Sequence, residues 1–135
     1  MQFASALVDL EQYAQAVKVL DQAILSHPGS PRLLTSLAVI LAASPDDRVR
    51  APQRAQALAR QAVAATQGQD FKSLDALGMA QAESGEYEPA IKAADAAIAR
   101  AREQGAKPEM VQPMEARVAG YRSSKPWRLS GPAVP

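Results

Sequence analysis

Residues 71–100 read FKSLDALGMAQAESGEYEPAIKAADAAIAR, and the fold turns on this stretch. Leu74, Leu77, Gly78 and Gln81 stand three, four and seven positions apart, which places them on one face of a helix. A glycine inside a helix costs about 1 kcal/mol against alanine. Gly78 therefore marks a point where a second helix must come close. Ser84-Gly85-Glu86 is the turn, with Gly85 suited to the left-handed residue that ends a helix. Tyr87 opens a second helix, and Pro89 falls in its first turn, where a missing N–H is not needed. Ala90, Ala94 and Ala97 then form a smooth stripe flanked by Ile91 and Ile98. The stretch predicts two short antiparallel helices whose small facing residues let the axes pack closely.

Weaker copies of this pattern precede it. Ala16 and Ala23 are seven apart, as are Ala55 and Ala62, and Ala90 and Ala97. Ile24, Val63 and Ile98 each follow the second alanine, and Tyr13 precedes Ala16 as Tyr87 precedes Ala90. Leu34, Leu37 and Ala38 stand forty residues before Leu74, Leu77 and Gly78. The offsets predict a repeat protein. The alternative is an ordinary alanine-rich helical bundle, which need not keep a period.

The combination resembles the tetratricopeptide repeat, a unit of about 34 residues with leucine, a small residue and tyrosine in helix A and spaced alanines in helix B. Leu74, Leu77, Gly78, Tyr87, Ala90 and Ala97 match it. Ala94 departs from it, because a bulky residue is usual there, and so does Arg102, where proline often ends the unit. The resemblance implies an all-α fold, a right-handed α-solenoid of stacked antiparallel helix hairpins. One such domain would span 1–122, with repeats at about 1–30, 31–70 and 71–104 and a capping helix at about 108–122. An irregular tail, 123–135, would follow.

The first unit reads as trimmed, with Phe3, Ala4 and Leu7 ending a helix A and helix B running from about Tyr13 to Ser26. So early a start suggests a piece of a larger protein. In the second unit Ser30 is a candidate N-cap and Pro31 a good first helical residue. Helix A then continues through Leu41, and Pro52 opens helix B. Between them, residues 44–51 form an insertion in which Ser44 and Asp47 have capping-box spacing. Arg48 and Arg50 read there as loop residues of little consequence. LAASPDDRVR also resembles a loop of a bacterial subset of these repeats. After the third unit Pro108 restarts the chain, and Met110, Val111, Met114, Val118 and Tyr121 predict a last helix, with Pro113 an alternative start. The expectation for the tail is mobility, with Trp127 able to fold back onto that helix.

Composition narrows the function. The chain holds 29 alanines and only six aromatics in 135 residues, so its core is thin and a deep aromatic pocket is not available. A net charge of +1 argues against a dedicated nucleic-acid binder. There is no cysteine for thiol chemistry, and no apolar run approaches the ~18 residues of a membrane span. Met1-Gln2-Phe3 lacks the features of a signal peptide, which slightly favours a cytoplasmic place. The single histidine, His27, sits in a turn without a cysteine or a nucleophile near it in sequence. Asp46 and Asp47 are adjacent and diverge, so they read as turn residues. No constellation of an enzyme is assembled, and no cofactor or metal is expected.

What remains is surface. In the resemblance, helix A lines the groove where partner peptides lie. By position that groove comprises Arg32, Thr35, Ser36, Val39 and Ala43, then Lys72, Asp75, Ala76, Met79 and Glu83, with Gln2, Ser5 and Asp9 from the first unit. Some family members hold a terminal carboxylate with lysines, asparagines and an arginine. Only Lys72 matches that set, while Ser36 and Ala76 depart from it, so chaperone-tail binding is disfavoured. The leading expectation is a non-catalytic scaffold that binds a protein or peptide segment in this groove. The alternative is a linker or C-terminal module of a larger membrane-associated or enzymatic protein, with no ligand of its own. Exposed terminal repeats could also self-associate. A minor expectation is an anionic-surface binder using Arg100, Arg102, Lys107, Arg117, Arg122, Lys125 and Arg128, since residues 100–128 hold seven basic and three acidic side chains.

Overall fold

The computed structural model describes residues 2–129, with side chains from Gln12 onward. Six helices, and no strand, occupy the described residues: α1 (Gln2–Ser26), α2 (Pro31–Ala43), α3 (Pro52–Ala65), α4 (Phe71–Glu83), α5 (Tyr87–Glu103) and α6 (Pro108–Arg122). Helices α2 to α5 begin where local sequence signals place them. The Ser30 hydroxyl accepts from the Leu33 amide at 3.4 Å, and Pro31 is the first helical residue of α2. Asp70 accepts from the Lys72 amide at 3.0 Å and so caps α4. Proline also opens α3 and α6.

The α4–α5 turn closes by two backbone bonds. Gly85 donates to Ala82 at 3.0 Å and Glu86 to Gln81 at 2.9 Å, with Gly85 at a φ of 81°. This pair satisfies carbonyls that the end of α4 leaves unpaired, and it needs a left-handed residue at its centre.

Each helix packs on its sequence neighbours, and α2 also packs on α4. Helix α4 is therefore enclosed by α2, α3 and α5. Ser73, Asp75, Ala76 and every residue from Gly78 to Ala82 are buried. The core continues on both sides of it. Leu37, Leu41, Ala42, Ala43, Ala55, Met79 and Ala80 form one cluster, against which Val17, Leu20 and Ile24 of α1 pack. Ala90, Ala94, Ala97, Ile98 and Ala101 of α5 form another with Val111, Met114, Val118 and Tyr121 of α6. Burying a leucine such as Leu37 contributes about 1.5–3 kcal/mol, whereas each alanine offers little more than a close helix contact.

Helices α4 and α5 come close at Gly78. A Cβ there would lie 3.1 Å from the Ala90 carbonyl oxygen and 3.5 Å from the Ala94 nitrogen. The missing side chain is thus replaced by the backbone of the partner helix. Polar pegs fix the helices across the turns. Buried Gln56 of α3 donates to Ser84 and to Glu86, each at 3.0 Å. Arg100 of α5 donates to the Gly68 carbonyl at 3.2 Å.

The structure departs from the sequence reading at α1 and Leu77, and it decides between the two starts read for α6. α1 is one continuous helix of 25 residues, with no break between a helix A and a helix B. Residues 9–13, Asp-Leu-Glu-Gln-Tyr, contain neither glycine nor proline, so nothing stops helix propagation there. α6 begins at Pro108 and runs through Pro113. Pro113 is exposed near the start of α6 and forfeits one hydrogen bond without ending the helix. Leu77, expected in the core, is only half-buried against Ala38, Ala59 and Ala76, because the small residues of α4 occupy the tightest contacts.

Candidate functional site

The face of α2 and α4 assigned to partners by resemblance divides into an open part and a covered part. Arg32, Ser36 and Lys72 are exposed, and Thr35 and Val39 are half-buried. Asp75, Ala76 and Met79 are buried, and the Glu83 side chain is 15% exposed. Ala43 is buried too. The side chains of Gln2, Ser5 and Asp9 lie outside the described residues.

Ala76 is buried between the helices against Ala38 and Ala59, and Asp75 is met by Arg117 of α6. The non-helical stretch after α6 covers the end of the face at Ala43, Met79 and Glu83. Ser124 donates to Tyr121 and Lys125 to Gly120, each at 2.9 Å, and Ser124 adopts a φ of 58°. This closure uses a left-handed serine where glycine is more usual, and it sends the chain back toward the other helices. Trp127 then packs against both core clusters, with the Arg117 guanidinium carbon 5.2 Å from its ring centroid. Arg128 donates to Glu83 Oε1 at 2.5 Å. The Leu129 amide donates to the Ala43 carbonyl at 2.7 Å, and its side chain joins the cluster around Leu37 and Leu41. Residues 123–129 are pinned where mobility was expected. An indole, an ion pair and a backbone bond hold them. Residues 130–135 of the expected tail lie outside the described residues.

Charge organises the same region. Arg117 of α6 reaches Asp75 of α4 by two bonds, Nε to Oδ1 at 3.2 Å and Nη2 to Oδ2 at 2.5 Å. The two side chains are 11% and 12% exposed. Burial pushes the Asp75 carboxyl above the usual carboxylate range, outweighing the pull of Arg117. Burial, reinforced by the charge of Asp75, also raises the Tyr121 hydroxyl, which has no hydrogen-bond partner among the described residues. Glu83 stands between two arginines, Arg128 and Arg50, the latter at 3.3 Å. Arg50 also donates to the Ser44 carbonyl at 2.7 Å and pairs with Asp47. Arg50 is thus an anchor, contrary to its reading as a loop residue of small consequence. In the same loop Asp46 shapes the turn, and the Ser44 hydroxyl accepts from the Asp46 amide rather than from Asp47, the residue at capping-box spacing. Asp46 accepts from the Arg48 amide at 2.9 Å and from the Arg48 side chain, and these bonds hold its carboxyl below the usual range.

The basic surplus of residues 100–128 is largely spent within the fold. Arg100 pairs with Glu103, Arg102 with Glu115, Arg117 with Asp75, Arg122 with Asp95 and Arg128 with Glu83. Two of these pairs, Arg102–Glu115 and Arg122–Asp95, rim a shallow cavity of about 490 Å³ between α5 and α6, floored by Ile98 and Val118. His27 is exposed in the α1–α2 turn. Among the described residues no three His, Asp or Glu side chains are grouped to hold a metal ion, and no helix is long and apolar enough to cross a membrane.

The side chains that complete the site, Arg50, Arg117, Trp127 and Arg128, come from segments read as loop, cap and tail. One signal pointed to them. Trp127 is the sole tryptophan in an aromatic-poor chain, and it stands beside basic residues in a stretch with no helical period. No protein-family model, curated protein or solved structure matches the chain.

Proposed function

We propose that the chain is a tetratricopeptide-type module, a right-handed α-solenoid of stacked hairpins, acting as a non-catalytic scaffold that binds a protein segment along the face of α2 and α4. The order of packing supports the architecture. Each helix touches the next, and α2 touches α4, as stacked hairpins require. Helix α4 begins forty residues after α2, at Phe71 and Pro31.

One observation carries the binding reading. A non-helical stretch of this chain lies at the end of that face, bonded to Ala43 of α2 through its main chain and to Glu83 of α4 by an ion pair, with Trp127 packed beside it under Arg117 of α6. These are the means by which a groove holds a peptide. Exposed Arg32, Ser36 and Lys72 continue the face beyond the covered part.

A displayed-peptide library panned on the intact chain tests this. The expected result is a set of segments whose binding falls at least tenfold on Ser36→Trp or Lys72→Glu and holds on Gln61→Glu, an exposed site on α3. Segments that bind equally well to all three variants would defeat the reading. The burial of Asp75, Ala76 and Met79 favours a second reading, a linker or capping module with no ligand of its own. A library that returns nothing decides for it.

A further inference from the structure

We infer that the covered part of the α2/α4 face selects a segment carrying an aromatic residue, an arginine and an aliphatic residue in succession, and that Trp127, Arg128 and Leu129 hold that place until such a partner displaces them. The inference rests on the binding reading above and names its ligand class.

Three fixtures set the chemistry. The Ala43 carbonyl lies at the end of α2, where helical carbonyls have no partner of their own, and it takes a backbone N–H from Leu129 at 2.7 Å. Glu83 keeps Arg50 on one oxygen and accepts Arg128 on the other. An incoming acidic side chain at this point would face Glu83, with Asp75 two turns away on the same helix. The third fixture is the slot under Arg117, which takes a flat ring at 5.2 Å between two apolar clusters.

The occupant is built to leave. Lys125 and Pro126 are exposed, and Trp127, Arg128 and Leu129 are only half-buried. A short non-helical stretch held by one indole, one leucine, one ion pair and one backbone bond opens at lower cost than the helices beneath it. Being tethered, it competes at an effective concentration on the order of millimolar, which sets the affinity a partner must exceed.

The chain's sole tryptophan reports its own displacement. The probe is a peptide of sequence Ser-Lys-Pro-Phe-Arg-Leu, which lacks tryptophan, with a control carrying glutamate for arginine. On the parental chain the arginine peptide is expected to shift Trp127 emission to the red, saturably, and at least tenfold more tightly than the control. On Glu83→Gln that preference is expected to shrink below threefold. A fluorescein-labelled arginine peptide is expected to bind Trp127→Ala at least tenfold more tightly than the parent, once circular dichroism shows the variant folded. If the variant does not fold, the emission titration on the parent decides. Equal binding of both peptides overturns the proposal. So does a parental dimer that Trp127→Ala converts to monomer, because the segment would then serve a second copy. If neither peptide binds while library segments of other chemistry bind through Ser36 and Lys72, this proposal falls and the binding reading stands. If the library also returns nothing, both fall.

Discussion

Arg117 on α6 grips Asp75 on α4 with two parallel hydrogen bonds, across a separation of 42 residues. The pair joins the last helix to the most enclosed one, and the same guanidinium lies over Trp127. Removing one member of a buried pair strands the other, at a cost of about 3–5 kcal/mol, while replacing both with apolar residues is often neutral. Asp75→Ala and Arg117→Met are each expected to lose about 3 kcal/mol in urea unfolding. The double variant Asp75→Leu/Arg117→Met is expected to regain most of that loss. Additive losses would mean that the two side chains are not coupled and do not pair in solution.

At Gly78 two effects oppose one another. Alanine would gain about 1 kcal/mol of helix propensity. Its Cβ would stand 3.1 Å from the Ala90 carbonyl, which is backbone and cannot rotate away. Overpacking costs roughly 1–3 kcal/mol, so crowding is expected to win. Gly78→Ala should melt below the parent, and Gly78→Leu lower still. A rise in Tm for Gly78→Ala would show that α5 can step back.

Leu37 is fully buried and Leu77 only half so. Leu37→Ala is expected to cost about 2–5 kcal/mol and Leu77→Ala less, because Leu77 removes less apolar surface from water. Equal losses would mean that Leu77 closes more tightly against Ala38 and Ala59 in solution.

The two arginines of the 44–51 loop should behave differently. The Arg48 side chain is 84% exposed, and exposed ion pairs are worth about 0–1 kcal/mol. Arg50, at 14% exposure, links Ser44, Asp47 and Glu83. Hydrogen bonds to charged groups contribute about 1.5–3 kcal/mol, so Arg50→Ala is expected to lose about 2 kcal/mol by denaturant titration and Arg48→Ala markedly less.

The two aspartates shifted by the fold act in opposite directions with pH. Asp46 has a lowered pKa, so the folded chain holds a proton there less well than the unfolded one. Its contribution is present above 3.8 and is lost as pH falls below that value. Asp75 has a raised pKa, so acid relieves the penalty of its burial as pH falls through a value above 3.8. The stability gap between the parent and Asp46→Asn is expected to close below pH 3.8. No gap at neutral pH would mean that the Arg48 contacts are not made in solution, and a gap that persisted in acid would mean that Asp46 acts through more than its charge.

Helix positions were readable because the signals are local. Ser30-Pro31, Pro52, Asp70 and Ser84-Gly85 each act within a turn of where they stand. The close approach at Gly78 was readable for a related reason, since a glycine with an avoidable cost implies a neighbour. Contacts between distant segments left no such mark. Nothing adjacent to Arg50, Arg117 or Arg128 announces a carboxylate 33, 42 or 45 residues away. The covered half of the site was illegible because side chains from three separate segments complete it. The unbroken α1 was missed because a repeat pattern was extended across residues that form helix readily throughout.

The contact surface of α5 rests on Ala90, Ala94, Ala97 and Ala101, each at most 1% exposed. A seam made of methyl groups cannot be hollowed, since trimming any one of them removes a single carbon. It can only be wedged apart. Substitutions that enlarge these positions should be the ones this molecule fails to survive, while its rim tolerates wide change.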